Sequence, residues 1–154
     1  MRLGAAVIDG IIYSLLFMII GGVLYPKVDP VAMQEAAMRG DFQAMAAMAT
    51  PGFFVILVAS ALSVAAFIGI NWKFLPNGQT IGKKLLKLQI QARTGGLLPV
   101  KDLIIRRILP VYVIARLHFL GSVLLLVDAL CIFRPARNTL HDDLAQSKVV
   151  QLPG

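Results

Sequence analysis

LGAAVIDGIIYSLLFMIIGGVL, running from Leu3 to Leu24, is apolar apart from Asp9, Tyr13 and Ser14. At about 1.5 Å rise per residue a helix of this length crosses a hydrocarbon layer of about 30 Å, so the run reads as a first transmembrane segment. The carboxylate inside it, and a length beyond the roughly 7–15 residues of a signal-peptide core, argue that it is retained rather than cleaved. An aspartate two turns into such a helix costs roughly 2.5–3.5 kcal/mol on insertion scales. Asp9 therefore has to face protein or water and meet a cation, or else carry a proton. Arg2 lies on roughly the same face but about 10 Å away along the axis, beyond the turn neighbours that pair directly. The cations expected near Asp9 are Arg106, Arg107, Arg116 and His118, all from the far part of the chain.

Phe53 to Phe74 forms a second span, opened by Pro51 and Gly52 and closed by Trp72, a residue that prefers the membrane interface. Within it Ala61, Ala65 and Gly69 make a small-residue stripe that suits close helix contact. The stripe serves either a homodimer or the first span, and contact with the first span is the favoured expectation. Between the spans, residues 25–50 are too polar to cross, yet Val31, Met38, Phe42, Met45 and Ala49 recur at helical spacing, which marks an outer amphipathic segment. Asp29 before Pro30, and Asp41 after Gly40, are its expected helix caps.

The whole composition agrees with a membrane protein: of 154 residues 58% are hydrophobic and 15% charged, where soluble domains run nearer a quarter charged. The length allows one domain, residues 1–154. The formal charge of +7 is split into clusters between apolar runs, which favours an anionic lipid surface over nucleic acid as partner. Cys131 stands alone, so an intrachain disulfide is excluded, and neither it nor Met33, Met38, Met45 and Met48 forms a metal-ligand pattern. No cofactor is expected.

Lys73 at the end of the second span and Lys83, Lys84, Lys87, Arg93, Lys101, Arg106 and Arg107 after it form one basic run. Such a basic excess belongs to the cytoplasmic side, which places the connection 75–102 and the N-terminus there. Leu103 to Phe133 is apolar but interrupted by Arg116 and His118. It either crosses once or forms a broken, re-entrant hairpin, and the hairpin is favoured because it returns the tail, 134–154, to the cytoplasm. There Leu88–Gln91 and Lys148–Leu152, both β-like, can pair. The fold class expected is an all-α integral membrane protein: two full transmembrane helices, a broken or re-entrant C-terminal helical hairpin, and a small cytoplasmic β-pairing.

Gly78-Gln79-Thr80-Ile81-Gly82-Lys83 lacks the four-residue glycine spacing and the hydroxyl after lysine that a phosphate loop needs. It reads instead as a tight turn from which Lys83, Lys84 and Lys87 reach lipid headgroups. Asp128 repeats the argument made for Asp9. His141 beside Asp142 and Asp143 either titrates near neutrality or belongs to a short helix capped after Thr139. With His118 and His141 the only histidines, no catalytic triad assembles, and no enzyme activity is expected.

Three patches together resemble the RDD family of small prokaryotic membrane proteins: RLGAAVID at Arg2 to Asp9, GQTIGKKLLKLQI at Gly78 to Ile90, and RNTLHDDLAQSKVV at Arg137 to Val150. Gln146-Ser147 stands where Gly-Thr is usual, and Ile81 where proline is often found. By resemblance the family's second aspartate falls on Asp142, with Asp128 in VDAL also similar. The resemblance implies a multi-pass protein of the prokaryotic plasma membrane, with transport suggested and Na+/H+ antiport reported for some members. The reading that follows is exchange of small cations or protons by a homo-oligomer. Asp9 would be the responsive carboxylate, with Arg2, Arg106, Arg107, Arg116, Asp128, His141 and Asp142 as coupling candidates. The alternative is a non-transporting assembly or anionic-lipid-interaction protein.

Overall fold

The computed structural model describes residues 1–114, 118–133 and 139–153. Arg116, and the tail cations Arg134 and Arg137, lie outside the described residues, as does the side chain of His118.

Two helices, α1 (Arg2–Leu24) and α4 (Phe53–Asn71), are long and apolar enough to cross a membrane. They pack antiparallel, each burying a stripe at a spacing of four: Ala5, Asp9 and Tyr13 on α1, and Ala59, Ser63, Phe67 and Asn71 on α4. Their outer faces stay exposed and apolar, with Val7, Ile11 and Leu15 on α1 and Phe54, Leu57 and Leu62 on α4. Apolar surface on this scale is an aggregation hazard in water and suited to lipid. The α4 face turned to α1 corrects the expectation from sequence, because Ala61, Ala65 and Gly69 are exposed. The rotation is set by Phe67, whose ring meets Tyr13 edge-on at 6.3 Å, and by Asn71, whose amide is needed inside; small apolar side chains lose little by facing outward.

Between the spans lie α2 (Pro30–Arg39) and α3 (Phe42–Ala49). Asp29 accepts a hydrogen bond from Val31 N at 2.9 Å and Asp41 one from Ala44 N at 2.9 Å, so both expected caps form. Gly40 ends α2 in the left-handed conformation at φ 68°.

Past Asn71, a 3-10 turn at Leu75–Asn77 leads to α5 (Ile81–Leu85) and strand β1 (Leu88–Ala92). The second span is thus shorter at its end than Phe74. α6 (Val100–Asp102), a π turn (Leu103–Ile108) and α7 (Leu109–Ile114) then follow without a break. Pro110 has no N–H to give to the carbonyl four residues back, a defect that the wider π turn before it accommodates. α8 (His118–Leu130), α9 (Leu140–Leu144) and strand β2 (Ser147–Gln151) complete the chain. Among the described residues of the apolar C-terminal region, Pro110, Val111 and Ile114 of α7 line one pocket with Leu124, Leu125 and Asp128 of α8. β1 and β2 pair antiparallel, so the tail meets the connection after α4, at the same end as the start of α1. Leu75, Leu88, Ile90, Leu98, Leu103 and Val149 make the core beneath that ribbon.

The two strands close a local repeat that sequence patterning missed. Thr80–α5–Lys87–β1 matches Thr139–α9–Gln146–β2 position for position: an N-cap threonine, a five-residue helix, a residue at positive φ (53° at Lys87, 48° at Gln146) and a five-residue strand. Ile90 pairs directly with its own counterpart Val149, which puts a local two-fold axis through that pair. Only five-residue elements carry the likeness, and few side chains are shared, so no sequence period announces it.

Candidate functional site: two charged sockets beneath the ribbon

Each helix–turn–strand unit is plugged into the helical layer by buried charge. In the first socket the Thr80 hydroxyl donates to Asp9 Oδ2 at 2.5 Å, Gly82 N donates to Asp9 Oδ1 at 2.9 Å, and Lys83 Nζ lies 3.4 Å from Asp9 Oδ2. Asp9 is 7% exposed. The cation that meets it is Lys83, and the expected Arg106 and Arg107 make other pairs. Two glycines explain why: a Cβ on Gly82 would sit 2.4 Å from the Ala5 carbonyl oxygen, and one on Gly78 would sit 2.2 Å from that of Ile90. Their absence of side chains lets α5 lie directly on α1, which aims Lys83 inward.

The turn between them is held from every side. Ile81 N donates to Asn71 Oδ1 at 2.7 Å, Gln79 Nε2 donates to Leu88 O at 2.8 Å, and Ile90 N donates to Gly78 O at 2.7 Å. Lys83, expected at lipid phosphates, is withdrawn from them by this geometry. Burial pushes its ammonium below the ordinary lysine range; Asp9 pulls the other way, and nearby Arg107 adds to the lowering.

The second socket inverts the charges. Arg107, on the π turn, forms a buried ion pair with Asp142 of α9, and its guanidinium also donates to the Ser147 hydroxyl. Asp142 completes a capping box with Thr139. His141 N donates to Asp128 Oδ1 at 3.0 Å, and His141 Nδ1 stands 2.7 Å from Asp128 Oδ2. His141 sits in the capped helix expected after Thr139, and the carboxylate it faces is Asp128 rather than Asp142 or Asp143. Arg2 reaches across and donates to the Val149 carbonyl of β2.

A cavity of about 120 Å³ is lined by Arg2, Lys83, Arg107, Asp128, His141 and Asp142, and Asp9 lines a neighbouring one with Lys83, Arg107 and His141. The tertiary structure thereby gathers most of the expected site residues. Arg106 stays outside, exposed in a 3.4 Å pair with Asp102, and Lys87 is exposed. Lys84 lies over the Phe74 ring at 4.3 Å. Thr80, Gly82, Asn71 and Ser147 were missed as site residues, although the glycine-flanked threonine and the hydroxyl after Gln146 were the available signals.

A family model described as the RDD family matches residues 1–146, which include the Asp9–Lys83 and Arg107–Asp142 pairs. The chain belongs to the RDD family. No curated protein and no solved structure matches it. In this RDD protein Arg2, Asp9 and Asp142 all lie in bonds that fasten the paired strands and their short helices to the helical layer. Family membership and the two apolar helices make it a membrane protein.

Proposed function

We propose that this RDD protein exchanges small cations or protons, with Asp9 and Lys83 as the responding pair. The observation that carries the reading is the buried Asp9–Lys83 contact at 3.4 Å beside Arg107. A monovalent cation such as Na+ settling on the Asp9 carboxylate takes the place of the Lys83 ammonium. Lys83 then releases its proton as the incoming cation repels it, helped by burial and by the Arg107 charge. Arg107–Asp142 and Asp128–His141 hold the surrounding charges in place, and Arg2 ties the ribbon down. The protein works without enzymatic chemistry, in a prokaryotic plasma membrane with both termini in the cytoplasm. Two full spans are few for a carrier, so exchange belongs to a homo-oligomer.

Proteoliposomes containing a pH-sensitive dye test this. Cation addition should dequench the dye with the wild type and fail to do so with Asp9→Asn and with Lys83→Gln, each checked for intact folding by thermal melting in detergent. Undiminished exchange in either folded variant removes the pair from the mechanism.

A second reading, a non-transporting anionic-lipid-interaction protein, is favoured by the exposed Lys73, Lys84, Lys87 and Lys101. It requires vesicle binding that weakens with salt and with Lys84→Gln/Lys87→Gln, and no ion flux.

A further inference from the structure

Away from the charged sockets, an apolar groove of about 440 Å³ runs between α4 and α7, walled by Leu57, Ala61 and Ala65 on one side and Leu109, Tyr112 and Val113 on the other. Tyr112 is its inner wall, fixed by ring contacts to Tyr13 at 4.1 Å and Phe67 at 5.4 Å. The Ser60 hydroxyl in the lining is already spent on its own helix, donating to Ile56 O at 2.7 Å. Water in such a groove finds few partners, and hydrocarbon suits it. The outward-turned Ala61 and Ala65 are what make the groove deep.

One end of the groove is marked by a cation and an indole. Ile105, Arg106, Leu109 and Val113 form the exposed stripe of the rod that contains α7, which puts Arg106 one turn beyond the groove wall. At the C-cap of α4, Trp72 lies one turn beyond Ile68, another lining residue, and is 59% exposed. The Arg106–Asp102 pair is itself exposed, so it holds Arg106 weakly and leaves guanidinium donors available.

We propose that this groove binds one anionic phospholipid, an acyl chain lying along Ala61 and Ala65 and the headgroup phosphate meeting Arg106 beside the Trp72 indole. Charge decides between this occupant and a helix of a second copy. The mouth holds the exposed Arg106, in a solvent-screened pair with Asp102, and Lys73 beside Trp72; α4 of a second copy has no charged side chain to meet them, whereas the lipid brings the complementary anion. The site differs from the lysines of the second reading above in having a defined place for the tail, and it holds whether or not the protein moves ions.

Trp72 is the only tryptophan, which supplies the readout. Full-length protein in detergent micelles is titrated with phosphatidylglycerol or phosphatidylcholine carrying brominated acyl chains, and quenching of Trp72 is followed. Phosphatidylglycerol should saturate at about fivefold lower mole fraction than phosphatidylcholine, and Arg106→Gln should erase that difference. Ala61→Leu/Ala65→Leu, which fills the groove, should remove the saturable quenching by both lipids. Leu62→Phe, off the lining, should leave it intact. Identical curves for the two lipids, or quenching indifferent to groove filling, would overturn the proposal. So would a dimer crosslinked through α4 that protects Trp72 from both lipids. Arg106→Gln changes only an exposed side chain and decides the headgroup part even if the double variant does not fold.

Discussion

Gly82 N donates to Asp9 Oδ1 at 2.9 Å, and a methyl group on Gly82 would stand at that same 2.9 Å from the oxygen and 2.4 Å from the Ala5 backbone. The hydrogen bond and the close approach are one feature: α5 touches α1 only where no side chain intervenes. Gly82→Ala must push α5 off the carboxylate and should destabilise the fold by about 1–3 kcal/mol, the cost of overpacking a closed contact. Thermal melting in detergent measures it, with Lys84→Ala, on the exposed side of the same helix, as the mild comparison.

Breaking the first socket one partner at a time should be worse than removing it whole. Lys83→Met leaves the Asp9 carboxylate without its cation, at a cost of roughly 3–5 kcal/mol. Asp9→Asn/Lys83→Met strands no buried charge and should recover a substantial part of that loss. Additive losses in the double-mutant cycle would show that the two side chains do not interact energetically.

Alkaline pH should favour the folded state through Lys83. Its pKa in the folded protein lies below the ordinary value of 10.5, chiefly through burial, so between the two values the unfolded chain binds more protons. Stability contributed by Lys83 therefore rises with pH across that window. The melting temperature of the wild type minus that of Lys83→Met, followed from neutral pH upward, should increase. A falling difference would mean that attraction to Asp9 outweighs desolvation.

Gln146 holds φ 48°, a conformation that costs an L-residue roughly 1–2 kcal/mol and a glycine almost nothing. Part of the gain from Gln146→Gly is lost to the freer unfolded chain, leaving about 0.5–1 kcal/mol of stabilisation. Lys87→Gly, at the matching position of φ 53°, should act in the same direction. Gln146→Val, β-branched, should destabilise.

Arg107→Lys keeps the charge opposite Asp142 but is one atom shorter than the side chain whose Nη1 meets both Asp142 and Ser147. The loss should be about 1–3 kcal/mol, and Ser147→Ala in the Arg107→Lys background should add little. Chemical denaturation of the wild type, Arg107→Lys, Ser147→Ala and the double variant checks this.

Much of the architecture was open to sequence reading because it depends on local properties. Apolar runs long enough to span, an aspartate and a proline at Asp29-Pro30, and β-like alternation near Leu88 and Lys148 each express themselves within a few residues. The need of Asp9 for a cation or a proton was equally legible, since a carboxylate inside an apolar run is costly until something compensates it, wherever in the chain the partner lies.

The choice of partner was not legible. Lys83, like Lys84 and Lys87, reads as one of a solvated basic cluster, and only the backbone approach permitted by Gly82 separates it from its neighbours. Arg106 and Arg107 are adjacent in sequence yet face opposite ways, because helical rotation turns one toward Asp142 and the other to the surface. The stripe Ala61–Ala65–Gly69 and the stripe Ser63–Phe67–Asn71 are equally periodic, and Tyr13 and the α5 turn selected the second. Periodicity determines that a helix has a buried face; which face is buried depends on distant groups that must be satisfied at the same time, and that is settled only when the chain is folded.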